Sequence, residues 1–154
     1  MRGYFGIGIY HTKCAANIGT LWRSATLYDA AFVFTVGARY RLQASDTART
    51  PFHTPLYHYD NVEDLVRHLP YSCPLVGVEL DPRAQMLDSF HHPERAVYLL
   101  GAEDHGLPPA IADRCHSLVQ IESPGPESMN VSVAGSLILY NRHMQQQATI
   151  GARS

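Results

Sequence analysis

Short apolar runs separated by helical patterns constrain this chain more than any other feature. Tyr4 to Tyr10 (YFGIGIY), Ala31 to Val36 (AFVFTV), Leu75 to Leu80 (LVGVEL) and Ala96 to Leu100 (AVYLL) are too short for helices. Their β-branched and aromatic content reads as buried strand. Leu56 to Tyr59 and Leu118 to Ile121 add two more strands. Between them lie helical patterns: Ala16 to Ala30, with Leu21, Ala25 and Tyr28 on one stripe, then Val62 to Leu69 with Asp60 or Asn61 as cap. Pro108 to Cys115 and Met129 to Gln147 follow, the last with Val133, Leu137 and Tyr140 as the stripe expected to face a core. Apolar strands alternating with helices predict an α/β domain with a mainly parallel sheet flanked by helices.

Composition narrows the class. At 154 residues, one domain over 1–154 is expected, able to bury about two thirds of its unfolded surface. A hydrophobic content of 45% and a formal charge of -2 exclude a disordered tail or a polycation. Among the cationic side chains Lys13 is the only lysine and the rest are arginines, whose planar fork suits phosphate. Cys14, Cys73 and Cys115 form no CxxC pair, which argues against a disulfide framework or zinc ribbon. The apolar start is too short for a signal-peptide core and no run approaches membrane-spanning length, so a cytoplasmic protein without membrane association is expected.

Three loops carry more polar and glycine residues than scaffolding needs. Asn17 to Ala25 reads NIGTLWRSA, Leu99 to Gly106 reads LLGAEDHG, and Glu127 to Gly135 reads ESMNVSVAG. Each lies where a strand gives way to a helix, and ligands in parallel sheets gather at the carboxyl ends of strands. As scaffolding, Asn17 would cap its helix, Gly101 and Gly106 would make a turn, and Ser128 would be the natural cap of the last helix. Capping leaves Asn130 unexplained, because asparagine is a mediocre helix former.

Other chemistries find less support. The glycines of GYFGIG precede and occupy the first strand in the order GxxGxG, the reverse of a dinucleotide fingerprint. No GxxxxGK[ST], GxSxG or HExxH is present. His91, His92, His105, Cys115 and His116 are not spaced as a metal set, so no metal is expected.

Taken in order, the three loops resemble the motifs of the SpoU or TrmH branch of the SPOUT RNA methyltransferases. NIGTLWRSA is similar to N-x-G-x-x-x-R-x-A, GAEDHGLP to G-x-E-x-x-G, and ESMNVSVA to S-[LM]-N-x-S-x-A, a likeness that spans nearly the whole chain. The resemblance implies the SPOUT fold with a C-terminal trefoil knot, a homodimer, and S-adenosylmethionine-dependent methylation of an RNA ribose 2'-oxygen. The expected substrate is tRNA first and rRNA second, and the alternative is a catalytically silent RNA-binding module on the same fold. It makes Asn17, Arg23, Glu103, Ser128 and Asn130 the catalytic framework, and Val78, Gly101, Ile121, Ser128 and Met129 the cofactor-binding residues. Glu122 departs from the pattern, standing where the family commonly has proline.

Physics shapes one of these roles. A guanidinium has a pKa above about 12, and lowering it by roughly five units costs about 7 kcal/mol. Arg23 is therefore expected to clamp phosphate and stabilise charge developing on the 2'-oxygen rather than to abstract a proton. Gly37 to Pro55, with Arg39, Arg41, Arg49 and Tyr40, is expected to be a mobile basic loop that grips RNA, aided by Tyr57 and Tyr59.

Overall fold

The computed structural model describes residues 3–37, 54–101 and 106–154. In chain order its elements are β1 (Tyr4–Tyr10), α1 (Ala15–Leu27), β2 (Phe32–Val36), β3 (Leu56–Tyr59) and α2 (Val62–Arg67). They continue with β4 (Leu75–Val78), β5 (Gln85–Met86), β6 (Arg95–Leu100), α3 (Pro109–Ala112), β7 (Ser117–Gln120) and α4 (Val131–Arg153). The apolar runs marked β1 and β3 to the residue. LVGVEL stops as a strand at Val78, short of Glu79 and Leu80, and β5 carries too few residues for any periodicity. The helix expected from Pro108 to Cys115 is a single turn.

The seven strands form one parallel sheet in the order β3-β2-β1-β6-β4-β7-β5. Strand order reverses between β1 and β6, and it is beside such a crossover that parallel sheets open a crevice at their carboxyl ends. The glycines of β1 have a packing role. A Cβ on Gly6 would come within 2.6 Å of the Phe32 ring, and one on Gly8 within 2.5 Å of Phe34. Side chains alternate along a strand, so Gly6 and Gly8 make room for the phenylalanines on one face while Ile7 and Ile9 fill the other.

Each face has its own core. On one, Ile7, Ile9, Tyr98 and Leu100 pack with Ile18, Leu21 and Trp22 of α1 and Ile138 and Leu139 of α4. On the other, Phe34, Leu75, Val97 and Leu99 pack with Val62 and Leu65 of α2. Trp22 Nε1 donates to the Thr54 carbonyl at 2.7 Å, tying α1 to the segment just before β3. Most of the expected basic loop, including Tyr40 and its three arginines, lies outside the described residues.

Two expectations about α4 are corrected. Its buried residues are Val131, Ser132, Gly135, Ile138, Leu139 and Arg142, whereas Val133, Leu137 and Tyr140 are exposed. Both sets recur at helical spacing, and the face carrying the small residue wins because it fits closer. A Cβ on Gly135 would lie 2.5 Å from Leu21 Cδ1, and Ser136 Oγ meets Ser24 Oγ at 2.7 Å, so Ala134-Gly135-Ser136 packs α4 onto α1 within the chain. The cap of α4 is Asn130 rather than Ser128, and its Oδ1 accepts from Ser132 N and Val133 N at 3.0 and 3.2 Å.

At the amino end of the sheet α4 contributes a buried cation. Arg142, 1% exposed, donates from Nη1 to the Pro93 carbonyl (2.6 Å) and the Tyr98 hydroxyl (3.1 Å), and from Nη2 to the Glu94 carbonyl (2.7 Å). Its guanidinium also lies over the Phe5 ring, 4.5 Å from the centroid. His92 bridges Tyr98 Oη (2.7 Å) and Asn141 Oδ1 (2.8 Å), and burial pulls its pKa down to about 4.

Candidate cofactor cavity and active site

Where β4, β6 and β7 end, the sheet opens into a cavity of about 280 Å³. Val78 and Glu79 wall it from β4, Leu100 and Gly101 from β6, and Ile121 from the end of β7. The loop into α4 closes it with Ser128 and Met129, and the first turns of α4 add Val131 and Ala134. An apolar wall with a few polar groups on its rim is the usual build of a small-molecule site.

The expected cofactor set therefore converges. Val78, Gly101, Ile121, Ser128 and Met129 come from four separate segments, and all five line this cavity. Gly101 serves close approach. A Cβ there would sit 2.6 Å from both Gly106 Cα and Leu107 N, so the glycine lets the loop return against the end of β6.

The catalytic set divides. Asn17 is 7% exposed inside the first turn of α1, whose cap is Cys14, so Asn17 does not cap that helix. Its Oδ1 accepts instead from Asn130 Nδ2 at 3.1 Å. The stretch Asn17 to Ala25, expected as a loop, lies wholly within α1, and its first turn is thereby joined side chain to side chain to the third loop, beside the cavity residues Ser128 and Met129. Asn130 spends its oxygen on the α4 cap and its amide on Asn17, so one residue sets the start of the helix and holds the neighbouring loop. Ser128 is exposed and lines the cavity. Arg23 is exposed on the outer face of α1 and does not line it. Glu103 lies outside the described residues.

The Asn17–Asn130 bond is measurable. Asn130→Ala removes a cap as well as the bond and is expected to cost about 1–2 kcal/mol. Asn17→Ala is expected to cost less, and a double-mutant cycle by urea unfolding should return a coupling of about 0.5–1.5 kcal/mol. Strict additivity would mean that the two amides do not meet in solution.

Several wall residues lie outside the expected cofactor set, and Glu79 is the one with the most consequence for its charge. Glu79 accepts from Leu80 N through Oε1 at 2.9 Å and from Leu107 N through Oε2. The signal was a carboxylate directly after a buried strand, but the reading extended that strand through Leu80. Among the described residues no group of His, Cys, Asp or Glu is placed to hold a metal ion, and no helix is long and apolar enough to cross a membrane.

Comparison with known proteins agrees with the motifs. Residues 5–140 match the SpoU rRNA Methylase family. The chain is 29% identical over 128 residues to the 23S rRNA (guanosine-2'-O-)-methyltransferase RlmB of Acinetobacter baylyi, covering 80% of this chain and 46% of that protein. The chain thus spans about half the length of this curated relative. Its fold is similar to that of the TrmH/SpoU tRNA modifying enzyme of A. aeolicus, with a TM-score of 0.84 at 19% identity over 97% of this chain and 78% of that one. It is also similar to the SpoU methyltransferase AviRb of Streptomyces viridochromogenes in complex with AdoMet, with a TM-score of 0.82 at 22% identity over 95% and 59% of the two chains. From its motifs, its parallel sheet and the extent of the match, the chain belongs to the SpoU family of RNA methylases and has the SPOUT fold.

Proposed function

We propose that this chain is an S-adenosylmethionine-dependent ribose 2'-O-methyltransferase, acting in the cytoplasm on RNA, with tRNA the first substrate to test and rRNA the second. The observation that carries the reading is the convergence of Val78, Gly101, Ile121, Ser128 and Met129 on one cavity, with the Asn17–Asn130 pair at its side. Membership of an RNA-methylating family supports it, as does the likeness to RlmB, whose name specifies a 2'-O position. The single-domain organisation and the C-terminal trefoil knot implied by the family likeness belong to the same reading.

The cavity suits such a donor. Leu100, Val131 and Ala134 offer an apolar wall for a base, and Gly101 lines the cavity with the Gly106–Leu107 backbone packed closely against it. When bound, S-adenosylmethionine supplies a methyl group activated by the sulfonium charge. What remains for the protein is to hold the ribose oxygen in line and stabilise the charge left on it. The Asn17–Asn130 bond holds the first turn of α1 to the start of α4, which together frame the reacting edge. Arg23 clamps the adjacent phosphate.

Arg23 stands outside its own chain's cavity, so that role belongs to a homodimer in which each copy lends its arginine to the other's site. Two exposed stripes support such pairing. On α1, Arg23 shares the outer face with Leu27, which is 80% exposed, and on α4 the stripe of Val133, Leu137, Tyr140 and Met144 is exposed along three turns. A second copy is the occupant that buries both.

A transfer assay with tritiated S-adenosylmethionine, total tRNA and rRNA, followed by mapping of alkali-resistant positions, tests the function. Arg23→Ala is expected to lower turnover by at least about 100-fold, as removal of a charge-stabilising donor does elsewhere. Cofactor affinity by isothermal titration should stay within a few-fold of wild type. Normal turnover in that variant would refute the clamp, and binding of RNA without methyl transfer by the wild type would identify a silent RNA-binding module.

A further inference from the structure

Among the described residues, those lining the cavity carry charge of one sign. Glu79 and Glu127 are the charged side chains among its described lining residues, and no lysine, arginine or histidine joins them. The two carboxylates differ in setting. Glu127 is exposed on the Pro-Gly-Pro loop, where water screens it. Glu79 is half-buried and held at both oxygens by the Leu80 and Leu107 backbone amides. Gly106 turns with φ +61°, and a Cβ there would lie 2.7 Å from the Glu79 carboxyl carbon, so the loop is shaped around this carboxylate. A fixed charge needs no reorganisation when a ligand arrives, which is what makes it discriminating.

Accepting the cofactor reading above, on which this rests, we propose that Glu79 is a specificity-determining residue that makes the cavity prefer the positively charged methyl donor to its neutral spent product. S-adenosylmethionine bears a sulfonium that S-adenosylhomocysteine lacks, while the rest of the two molecules is the same. A stationary carboxylate in the cavity wall therefore acts on their difference, favouring entry of the donor and departure of the product. A residue that merely held the Gly106–Leu107 backbone in place would affect both ligands alike.

The test is isothermal titration of the full chain, as wild type, Glu79→Gln and Glu127→Gln, with each ligand separately. Glu79→Gln keeps the side-chain shape, loses one of the two backbone bonds, which both ligands feel alike, and is expected to lower the preference for S-adenosylmethionine over S-adenosylhomocysteine about three- to tenfold, the size of one partly screened charge interaction. Affinity for S-adenosylhomocysteine should stay within about twofold, and Glu127→Gln should shift the preference less than Glu79→Gln. An unchanged preference, an equal loss for both ligands, or a larger shift in Glu127→Gln overturns the assignment while leaving the cofactor reading intact. Wild-type protein that binds neither ligand overturns both. Should Glu79→Gln fail to fold, Glu79→Asp takes its place: it keeps the charge but draws it back by one methylene, should lower the preference by less than Glu79→Gln would, and an unchanged preference overturns the proposal.

Discussion

Replacing Gly101 by alanine is expected to weaken S-adenosylmethionine binding about 10- to 100-fold. The added Cβ would stand 2.6 Å from Gly106 Cα and Leu107 N, which are backbone atoms and cannot rotate aside as a side chain would. Either the end of β6 or the returning loop must move by roughly an ångström, and overpacking of this kind costs about 1–3 kcal/mol. Both segments wall the cavity, so the displacement appears in affinity before it appears in the fold. Titration calorimetry should show the loss, with far-ultraviolet circular dichroism near wild type. An alanine variant that binds the donor normally would mean that Gly101 merely makes a turn.

Arg142→Ala should lower stability by about 3–5 kcal/mol, from buried acceptors left unmet and the packing lost over Phe5. The variant leaves the carbonyls of Pro93 and Glu94 and the hydroxyl of Tyr98 without the guanidinium that meets them, and opens a cavity beside Phe5. In a chain of this length that corresponds to a fall in melting temperature of roughly 8–16 °C. Arg142→Lys should recover only part, because an ammonium is a point charge where a fork spans two carbonyls. A melting temperature within about 3 °C of wild type for the alanine variant would show that the cluster contributes little.

Arg142 also marks where the sequence stops being legible. Read locally, it is one arginine in a helix of mixed character, and nothing nearby says that it is buried with backbone carbonyls and a tyrosine hydroxyl as its partners. Its acceptors come from Pro93, Glu94 and Tyr98, about 45 residues upstream along the chain. The Val133, Leu137 and Tyr140 stripe was misassigned for the same reason. Apolar residues lie on more than one face of α4, and only packing against Leu21 and Leu100 through Gly135 selects the face that goes inside. Glu79 was hidden by an apolar run that ends as a strand one residue before it.

What the sequence determined by itself was whatever repeats at short range or has a fixed order: six of the seven strands of the parallel sheet, the three motifs and their succession, and through them the family and a set of residues, Val78, Gly101, Ile121, Ser128 and Met129, that line one cavity. Tertiary structure alone decided which face of α4 is buried, that Asn130 rather than Ser128 caps it while holding Asn17, that Arg23 lies outside its own cavity, and that Glu79 faces into it. The division is physical. Strand and helix periods are set by each residue's immediate neighbours, whereas burial, partner choice and local charge depend on atoms that only folding brings within a few ångströms.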